Sequence, residues 1–269
     1  MLRWCSYCQK FLGEAEPYED LAITHGICAT CKQNLRTLTN QGFEDSGRLQ
    51  AIQNQLMTAG RSGDLEAADR IVRNAIANNV RVIDIFMGLV APLLYQIGEE
   101  WRKGSITVAE EHRFTSYCEQ LFGQLSNQVT ASRSTAPPNA DRVDVLLMNA
   151  PGNRHSMAIR ILAAWFADQE IPVRVLNPTP AIDDLVSLIS QGHPRLLLIS
   201  IALSEQYPAL VSLVERIAAL PGPYHPKILV GGYAVKMNLV PPISGTYLVT
   251  DINSVEVTLG NCSCLEVHP

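Results

Sequence analysis

The chain has 269 residues, of which 47% are hydrophobic and 17% charged, and its formal net charge is -5. This size leaves room for about two domains, and the acidic balance gives no electrostatic reason for the whole molecule to bind nucleic acid or an anionic membrane. We find no apolar run of the roughly 18 to 20 residues that a bilayer requires, and no signal peptide, so we expect a cytoplasmic protein with no membrane partner.

The first predicted element is a cysteine module over residues 1–40. Each C-x2-C pair can turn two thiolates toward one ion, and two pairs complete the tetrahedral shell that Zn²⁺ prefers. A segment this short buries few apolar residues of its own, and a bound metal ion would therefore stabilise its fold directly. The spacing therefore predicts a small zinc ribbon, with redox pairs or unrelated thiols as the alternative. The four cysteines, spaced C-x2-C-x19-C-x2-C, are Cys5, Cys8, Cys28 and Cys31.

Residues 45–130 are predicted to form a four-helix bundle. Apolar residues recur at helical spacing in "GRLQAIQNQLMTAG", "SGDLEAADRIVRNAIANN" and "TVAEEHRFTSYCEQLFGQLSNQV". The segment "VIDIFMGLVAPLLYQIGEEW" is apolar on almost every side, which is typical of a buried helix. Because the connections are short, we expect antiparallel neighbours.

The second half of this multidomain chain is predicted to be α/β. Residues 131–142, "ASRSTAPPNADR", have the composition of a linker. Residues 143–260 alternate helical stretches with the apolar runs "DVLLMNAP", "PVRVLNP", "RLLLISIA", "KILVGGY" and "TYLVTD", which indicates a flavodoxin-like, five-stranded parallel sheet. Residues 261–269 are interpreted as a flexible tail in which Cys262 and Cys264 are spare thiols.

In such a sheet the ligand crevice lies at the carboxyl ends of the first and third strands. The loop after the first strand brings His155 to the start of a helix, whose positive end favours the neutral imidazole that a metal needs. The loop after the third strand offers hydroxyl groups at Ser200 and Ser204. Gly231 and Gly232, after the fourth strand, would let a flat ligand approach the backbone. Taken singly, each feature is also common as ordinary structural or turn chemistry.

The stretch "WRKGSITVAEEH" carries a motif, W-x9-E-H, at Trp101, Glu111 and His112, with Val108 and Ala109 in register. With the α/β segment, it resembles the cobalamin-binding photoreceptors of the CarH type, in which a helix bundle lies over a flavodoxin-like cobalamin domain. The resemblance implies that Trp101, Val108 and the Glu-His pair cover the upper face of a corrin ring.

The cobalamin domain of that family carries the pattern D/E-x-H-x-x-G, then S-x-L, then G-G. The resemblance implies that His155 is the lower axial ligand of cobalt. Two positions differ, because Asn153 stands where the family has a carboxylate and Ala158 where it has glycine. The other cofactor contacts that the resemblance implies are Asn153, Ser200, Leu203, Ser204, Gly231 and Gly232.

The resemblance implies a sensory protein and not an enzyme. Light or a redox change at bound adenosyl- or methylcobalamin would rearrange the domains or a homo-oligomer and so control transcription. The family reads DNA through an N-terminal helix-turn-helix, for which the cysteine module leaves no room. That module has few lysines or arginines, so we favour a regulatory protein partner over DNA contact.

Two alternatives remain open. The altered histidine motif would also suit a bilin or haem, with Cys118 as a candidate attachment point. The same two-part plan also serves corrinoid carriers in methyl transfer, which must expose the upper face of the corrin to partner enzymes.

Overall fold

The computed structural model describes residues 1–34, 46–131, 145–221, 225–252 and 255. The end of the predicted cysteine module, all but the first residue of the predicted linker, and the predicted tail with Cys262 and Cys264 lie outside these residues. The chain forms two compact units, Met1–Ser132 and Arg133–Pro269, and each is described by itself.

The first unit begins with a small sheet that carries the cysteines. Its central strand, β1, pairs antiparallel with β2 and parallel with β3. The side chains of Leu2 and Trp4 on β1 are fully buried, so the sheet contributes to the core of the unit. The elements are β1 (Leu2–Cys5), β2 (Phe11–Glu14), β3 (Ile23–Gly26) and the short helix α1 (Ala29–Gln33).

The rest of the first unit is helical, which confirms the prediction of a helical region. The segment expected to be buried is mostly buried over Val82–Ile85 and the π-helical turn Phe86–Val90 that interrupts it, whereas the helix after the turn is only partly buried and ends exposed at Trp101. Asp64 caps the helix that follows it, because its carboxylate accepts the Ala67 N–H at 2.8 Å. The helices are α2 (Ser46–Ser62), α3 (Leu65–Ala77), α4 (Val82–Ile85), α5 (Ala91–Arg102) and α6 (Val108–Ala131).

One segment differs from the sequence-based expectation. The continuous helical stretch Val82–Arg102 is long and apolar enough to cross a membrane by length and composition alone. The core helix of a globular protein meets the same criterion, and 56% of the apolar window is buried inside the protein. The stretch is therefore only weak evidence for a membrane span.

The second unit is a five-stranded parallel sheet, as predicted. The strand order β5-β4-β6-β7-β8 is the flavodoxin-like order, and it places the carboxyl ends of β4 and β6 side by side. The strands are β4 (Val145–Asn149), β5 (Val173–Leu176), β6 (Leu196–Ser200), β7 (Lys227–Gly231) and β8 (Thr246–Val249). The helices are α7 (Met157–Asp168), α8 (Ile182–Gly192), α9 (Tyr207–Ala218) and α10 (Tyr233–Lys236), with a 3-10 turn at Ser204–Gln206.

Leucine, isoleucine and valine build this sheet, because both of its faces are covered and every side chain of β4 and β6 is buried. The polar residues of β4 and β6 lie at the carboxyl ends of these two strands. Asn149, the last residue of β4, is in register with Ser200, the last of β6, and Ser200 is in register with Gly231 of β7. The sheet thus brings the loops after β4, β6 and β7, each of which carries predicted site residues, to its carboxyl edge.

Candidate functional site

His155 lies in the loop between β4 and α7, with its side chain exposed, at the carboxyl edge of the sheet. The Nδ1 atom of its ring is 2.9 Å from Oδ1 of Asn153, which also accepts the backbone N–H of His155 at 3.0 Å. Asn153 itself is buried. A buried amide oxygen therefore contacts both the exposed ring and the backbone N–H of His155.

The orientation of the Asn153 amide is fixed by its other end. Its Nδ2 donates to the carbonyl oxygen of Ser200 at 2.9 Å and lies 3.3 Å from Oδ1 of Asn149. A carbonyl only accepts, so the amino group must face Ser200 and the oxygen must face His155. Since that oxygen only accepts too, Nδ1 of His155 must carry the proton. Neutral His155 then keeps its free lone pair on Nε2, the state required of a metal ligand.

The loop after β6 is held by a residue that the sequence pattern did not indicate. Oε1 of the buried Gln206 accepts the backbone N–H groups of Ala202 and Leu203, at 3.0 and 3.1 Å. Ser200 is buried at the strand end, whereas Leu203 and Ser204 are exposed beyond it. The glutamine thus holds the backbone of the loop at Ala202 and Leu203, next to the exposed Ser204. No motif or spacing singled it out.

Close packing within the α/β unit explains the two glycines at the end of β7, Gly231 and Gly232. A Cβ at Gly231 would lie 2.9 Å from the Val249 side chain, and one at Gly232 would lie 2.5 Å from the carbonyl oxygen of Ile201. Gly232 also has φ +107° and ψ -176°, a conformation almost restricted to glycine. Close backbone approach therefore requires glycine here whether or not a ligand binds, and the predicted ligand contact stays a prediction.

The W-x9-E-H motif spans the turn between α5 and α6. Trp101 lies in the last turn of α5 with 41% of its surface exposed, and Val108 begins α6 with 52% exposed. Thr107 and Glu110 form a capping box: the Glu110 carboxylate accepts the Thr107 N–H at 2.8 Å, and Thr107 Oγ1 accepts the Glu110 N–H at 3.3 Å. The box fixes the start of α6 and leaves an aromatic and an aliphatic side chain facing solvent.

The two glutamates of this turn have separate tasks. Glu110 belongs to the capping box, whereas Oε1 of Glu111 accepts the hydroxyl of Thr115 at 2.8 Å. The other carboxylate oxygen of Glu111 is 3.5 Å from Nε2 of His112. The side chain of His112 is 73% exposed and that of Glu111 only 19%. Glu111 is thus a held carboxylate beside an open imidazole, a pair that can donate to and accept from a polar ligand.

Cys118 does not suit covalent attachment of a chromophore. Its side chain is buried, and burial raises the pKa of the thiol to about 12. The nucleophile in thioether formation is the thiolate, which this environment disfavours. The candidate attachment point for a bilin is therefore corrected: α6 directs Cys118 into the core of the unit.

The four cysteines of the first unit converge on one point. Their sulfur atoms lie within 4.8 Å of one another, and Sγ of Cys8 is 3.7 Å from Sγ of Cys28. A tetrahedral zinc ion with bonds of ~2.3 Å separates its sulfur ligands by ~3.8 Å. The cluster therefore has the dimensions of a four-cysteine zinc site, as the spacing predicted.

Backbone donors around the sulfurs also fit thiolates. The N–H of Cys28 donates to Sγ of Cys5 at 3.4 Å, and that of Cys31 donates to Sγ of Cys28 at 3.3 Å. Burial opposes ionisation of Cys5, but backbone N–H groups, first that of Cys28, lower its pKa to about 7. Burial raises the pKa of Cys8 to about 11. Without an ion, one sulfur is thus readily ionised and its neighbour is not, whereas a divalent cation would hold all four as thiolates.

Comparison with known proteins bears first on the helical part. Residues 52–126 match the family model of the B12 binding domain. The matched range includes Trp101, Val108, Glu111 and His112. The chain thus carries a B12-binding domain, and the helices that hold the W-x9-E-H motif lie within it. No curated protein matches the sequence.

Solved structures add likeness of fold. The monomethylamine corrinoid protein of Methanosarcina barkeri is similar with a TM-score of 0.65 and 14% identity, over 79% of this chain and 99% of that one. The methanol:cobalamin methyltransferase complex MtaBC of the same organism matches at 11% identity over 91% and 100% of the two chains, with a TM-score of 0.38. A novel cobalamin-binding protein from Desulfitobacterium hafniense DCB-2 matches at 14% identity over 78% and 97%, with a TM-score of 0.40. The first likeness shows a shared fold.

The match of residues 52–126 to the B12 binding domain indicates the ligand class, a cobalamin or another corrinoid. The residues of each unit suit that class chemically. His155 offers an exposed ring nitrogen that is free to coordinate cobalt. Trp101 and Val108 offer exposed apolar surface that suits the face of a large flat ring.

Proposed function

We propose that the protein is a corrinoid-binding sensor of the photoreceptor kind, and not an enzyme. The observation that carries the proposal is the half-exposed Trp101 within the B12-binding domain, at a turn whose geometry a capping box fixes. An exposed indole on a rigid turn suits the covering of one ring face, because a large aromatic excludes water at a small cost in conformational entropy.

A bound alkylcobalamin supplies a cobalt–carbon bond that light can break. Within this proposal, His155 presents Nε2 to the cobalt, and Asn153 holds the ring in the required tautomer. In the helical unit, Trp101 and Val108 would offer apolar surface to a face of the ring, and the Glu111–His112 pair would add a carboxylate and an imidazole near that surface. The change in the ligand would then pass to a homo-oligomer and to a regulatory protein partner in the cytoplasm.

The test is reconstitution of the full chain with adenosyl- and methylcobalamin in the dark. We expect bound corrinoid absorption bands, a spectral change on illumination, and a change of oligomeric state by light scattering. Haem and a linear bilin serve as comparison ligands. Binding of either of these in place of both cobalamins would overturn the proposal, as would a bound alkylcobalamin whose illumination changes neither the spectrum nor the assembly.

A corrinoid carrier for methyl transfer is the second candidate. The fold likeness to the monomethylamine corrinoid protein, of whose chain 99% is covered, favours it. A carrier must pass a methyl group from its corrinoid to an acceptor. Transfer of methyl from the methylcobalamin-loaded protein to an added thiol, catalysed by a methyltransferase, would favour this candidate over the sensor.

Replacing Trp101 with alanine is expected to expose the alkyl face of a bound cobalamin to water. The rate of light-driven loss of the alkyl group should rise several-fold, because the cobalt and carbon fragments separate more readily when the cap is missing. Time-resolved absorption measures the rate. Trp101→Phe, which keeps an aromatic ring, is the matched control and should lie near wild type. Equal rates in all three proteins would show that Trp101 is no cap.

Replacing His155 with alanine is expected to remove the lower axial ligand. The bound cobalamin should then show the spectrum of a form without protein-derived nitrogen. Its affinity should fall by at least as much as loss of a partner behind a metal ligand costs, about 10- to 100-fold. The neighbouring exposed Arg154 gives a control variant, Arg154→Ala, with no part in the hydrogen bonds of Asn153. An unchanged cobalamin spectrum in His155→Ala would remove His155 from the site.

A further inference from the structure

The cysteine cluster is packed into the helical part of the first unit through a notch at Gly88, in the π-helical turn. A Cβ at Gly88 would lie 2.6 Å from a ring atom of Phe11 and would also overlap the ring of Trp4. Both aromatic side chains are buried, and their ring centroids are 5.4 Å apart. Two rings from the small sheet therefore fill a space that only glycine leaves open.

A polar contact lies beside the notch. The buried Asp84 of α4 is held by Arg81, whose Nε and Nη2 donate to its carboxylate at 2.7 and 2.9 Å. The backbone N–H of Phe11 also donates to this carboxylate. A buried carboxylate is costly without such partners, so β2 is one of the elements that make Asp84 tolerable in α4.

A third contact joins β3 to α2. The N–H of Ile23 donates to Oε1 of Gln50 at 3.3 Å, and Nε2 of Gln50 donates to the buried Gln53 at 2.7 Å. Each of the three strands of the small sheet therefore contacts the helical part by side chains or backbone.

The metal cluster and the notch share one hairpin. Trp4 directly precedes Cys5, and the turn that carries Cys8 leads into β2 and Phe11. The N–H of Cys5 donates to the carbonyl oxygen of Lys10 at 2.9 Å, which closes this hairpin. An ion held by Cys5 and Cys8 would therefore fix the hairpin from which both rings project.

We infer that Zn²⁺ at the four cysteines stabilises the π-helical turn and α5, and that metal occupancy thereby controls the ligand turn that begins at Trp101. Metal loss frees the β1–β2 hairpin, the rings of Trp4 and Phe11 leave the notch, and Asp84 loses a donor. The π-helical turn continues into α5, which carries Trp101 and ends at Arg102. The statement about Trp101 as a ligand residue rests on the proposed function, whereas the coupling of metal to helix does not.

The experiment uses the full chain, stripped of metal with a chelator under reducing conditions and then titrated with Zn²⁺. Hydrogen exchange of the α5 amides, read by mass spectrometry, reports local opening. We expect α5 to exchange about tenfold faster or more without metal and to recover with one equivalent of Zn²⁺. Failure of Zn²⁺ to bind, or the same α5 exchange with and without bound Zn²⁺, would overturn the inference.

Gly88→Ala separates metal binding from packing. It should still bind one metal ion, seen with Co²⁺ as a tetrathiolate spectrum, yet α5 should stay unprotected when the metal is added. Gly98→Ala is the matched control in the same helix, because a Cβ there has no neighbour within 4 Å. It should respond to Zn²⁺ as wild type does. Full protection of the α5 amides in metal-loaded Gly88→Ala would show that the packing at Gly88 does not couple the metal site to α5.

If Gly88→Ala does not fold at all, the metal titration of the wild-type chain still tests whether the exchange of the α5 amides depends on bound Zn²⁺. Cobalamin affinity is measured beside the exchange. Metal-dependent exchange of α5 in a protein that binds no cobalamin would leave the coupling intact and remove the proposed function. Cobalamin binding that is indifferent to metal, with metal-dependent α5 exchange, would overturn the control of the Trp101 turn.

Discussion

Gly232→Ala is expected to destabilise the α/β unit by about 3 kcal/mol or more, a large part of the usual stability of a domain. The backbone of Gly232, with φ +107° and ψ -176°, lies in a region that costs other residues about 1–3 kcal/mol. The added methyl would also lie 2.5 Å from the carbonyl oxygen of Ile201. That carbonyl accepts the N–H of Ala234, so it cannot move away without loss of a hydrogen bond. Urea unfolding followed by circular dichroism measures the change.

Gly245→Ala is the matched control for Gly232→Ala. Gly245 also has a positive φ, +79°, but a Cβ there meets nothing within 4 Å. It should therefore show the backbone cost alone, about 1 kcal/mol. Equal destabilisation by the two substitutions would mean that the contact with Ile201 relaxes freely, and the two glycines after β7 would then need another explanation, such as a ligand.

Asn153→Ala is expected to release the ring of His155 from a single tautomer. In the wild type, the proton lies on Nδ1, because Oδ1 of Asn153 faces it at 2.9 Å and can only accept. Without the amide, the exposed ring should move toward the Nε2–H form that free histidine side chains favour. Long-range ¹⁵N–¹H NMR of the ring nitrogens measures this in the protein without cofactor. Corrinoid affinity should fall by about 10- to 100-fold, the usual effect of losing a partner behind a metal ligand.

Asn153→Asp is the informative companion variant. Its carboxylate keeps an acceptor for Nδ1–H but cannot donate to the carbonyl of Ser200 as the amide does. We expect the Nδ1–H tautomer to persist, with a stability loss of about 1–3 kcal/mol from the missing donor. An Asn153→Ala protein with the wild-type ring spectrum would show that another group sets the tautomer.

The sheet could be predicted from sequence because its physics is local and repetitive. Five runs rich in leucine, isoleucine and valine alternate with helical stretches. A strand that is buried on both faces consists almost entirely of such residues. The cysteine site was also open to prediction, since each pair acts within a tight turn whose geometry depends on few residues. The observed sulfur separations agree with that expectation.

The interactions that could not be predicted join residues far apart in the chain. The contact of Asn153 with Ser200 depends on the neighbouring positions of β4 and β6. The notch at Gly88 depends on the rings of Trp4 and Phe11, more than 70 residues earlier in the chain, and its glycine is indistinguishable in the sequence from an ordinary small residue in an apolar helix. Cys118 shows the opposite error, because it was a candidate attachment point by residue type, whereas α6 buries its side chain.

The π-helical turn at Phe86–Val90 also sets the angular phase of everything that follows it. A π turn accommodates one more residue than an α turn, and one residue advances an α-helix by about 100°. The azimuth of Trp101 about the helix axis therefore differs by that amount from the one that a regular α-helix of the same sequence would give it. Deleting one residue from the turn would restore a regular helix and leave the indole near its present azimuth, because the π turn absorbs the extra residue. The turn thus lets this segment hold one more residue while α5 keeps the direction in which it presents Trp101.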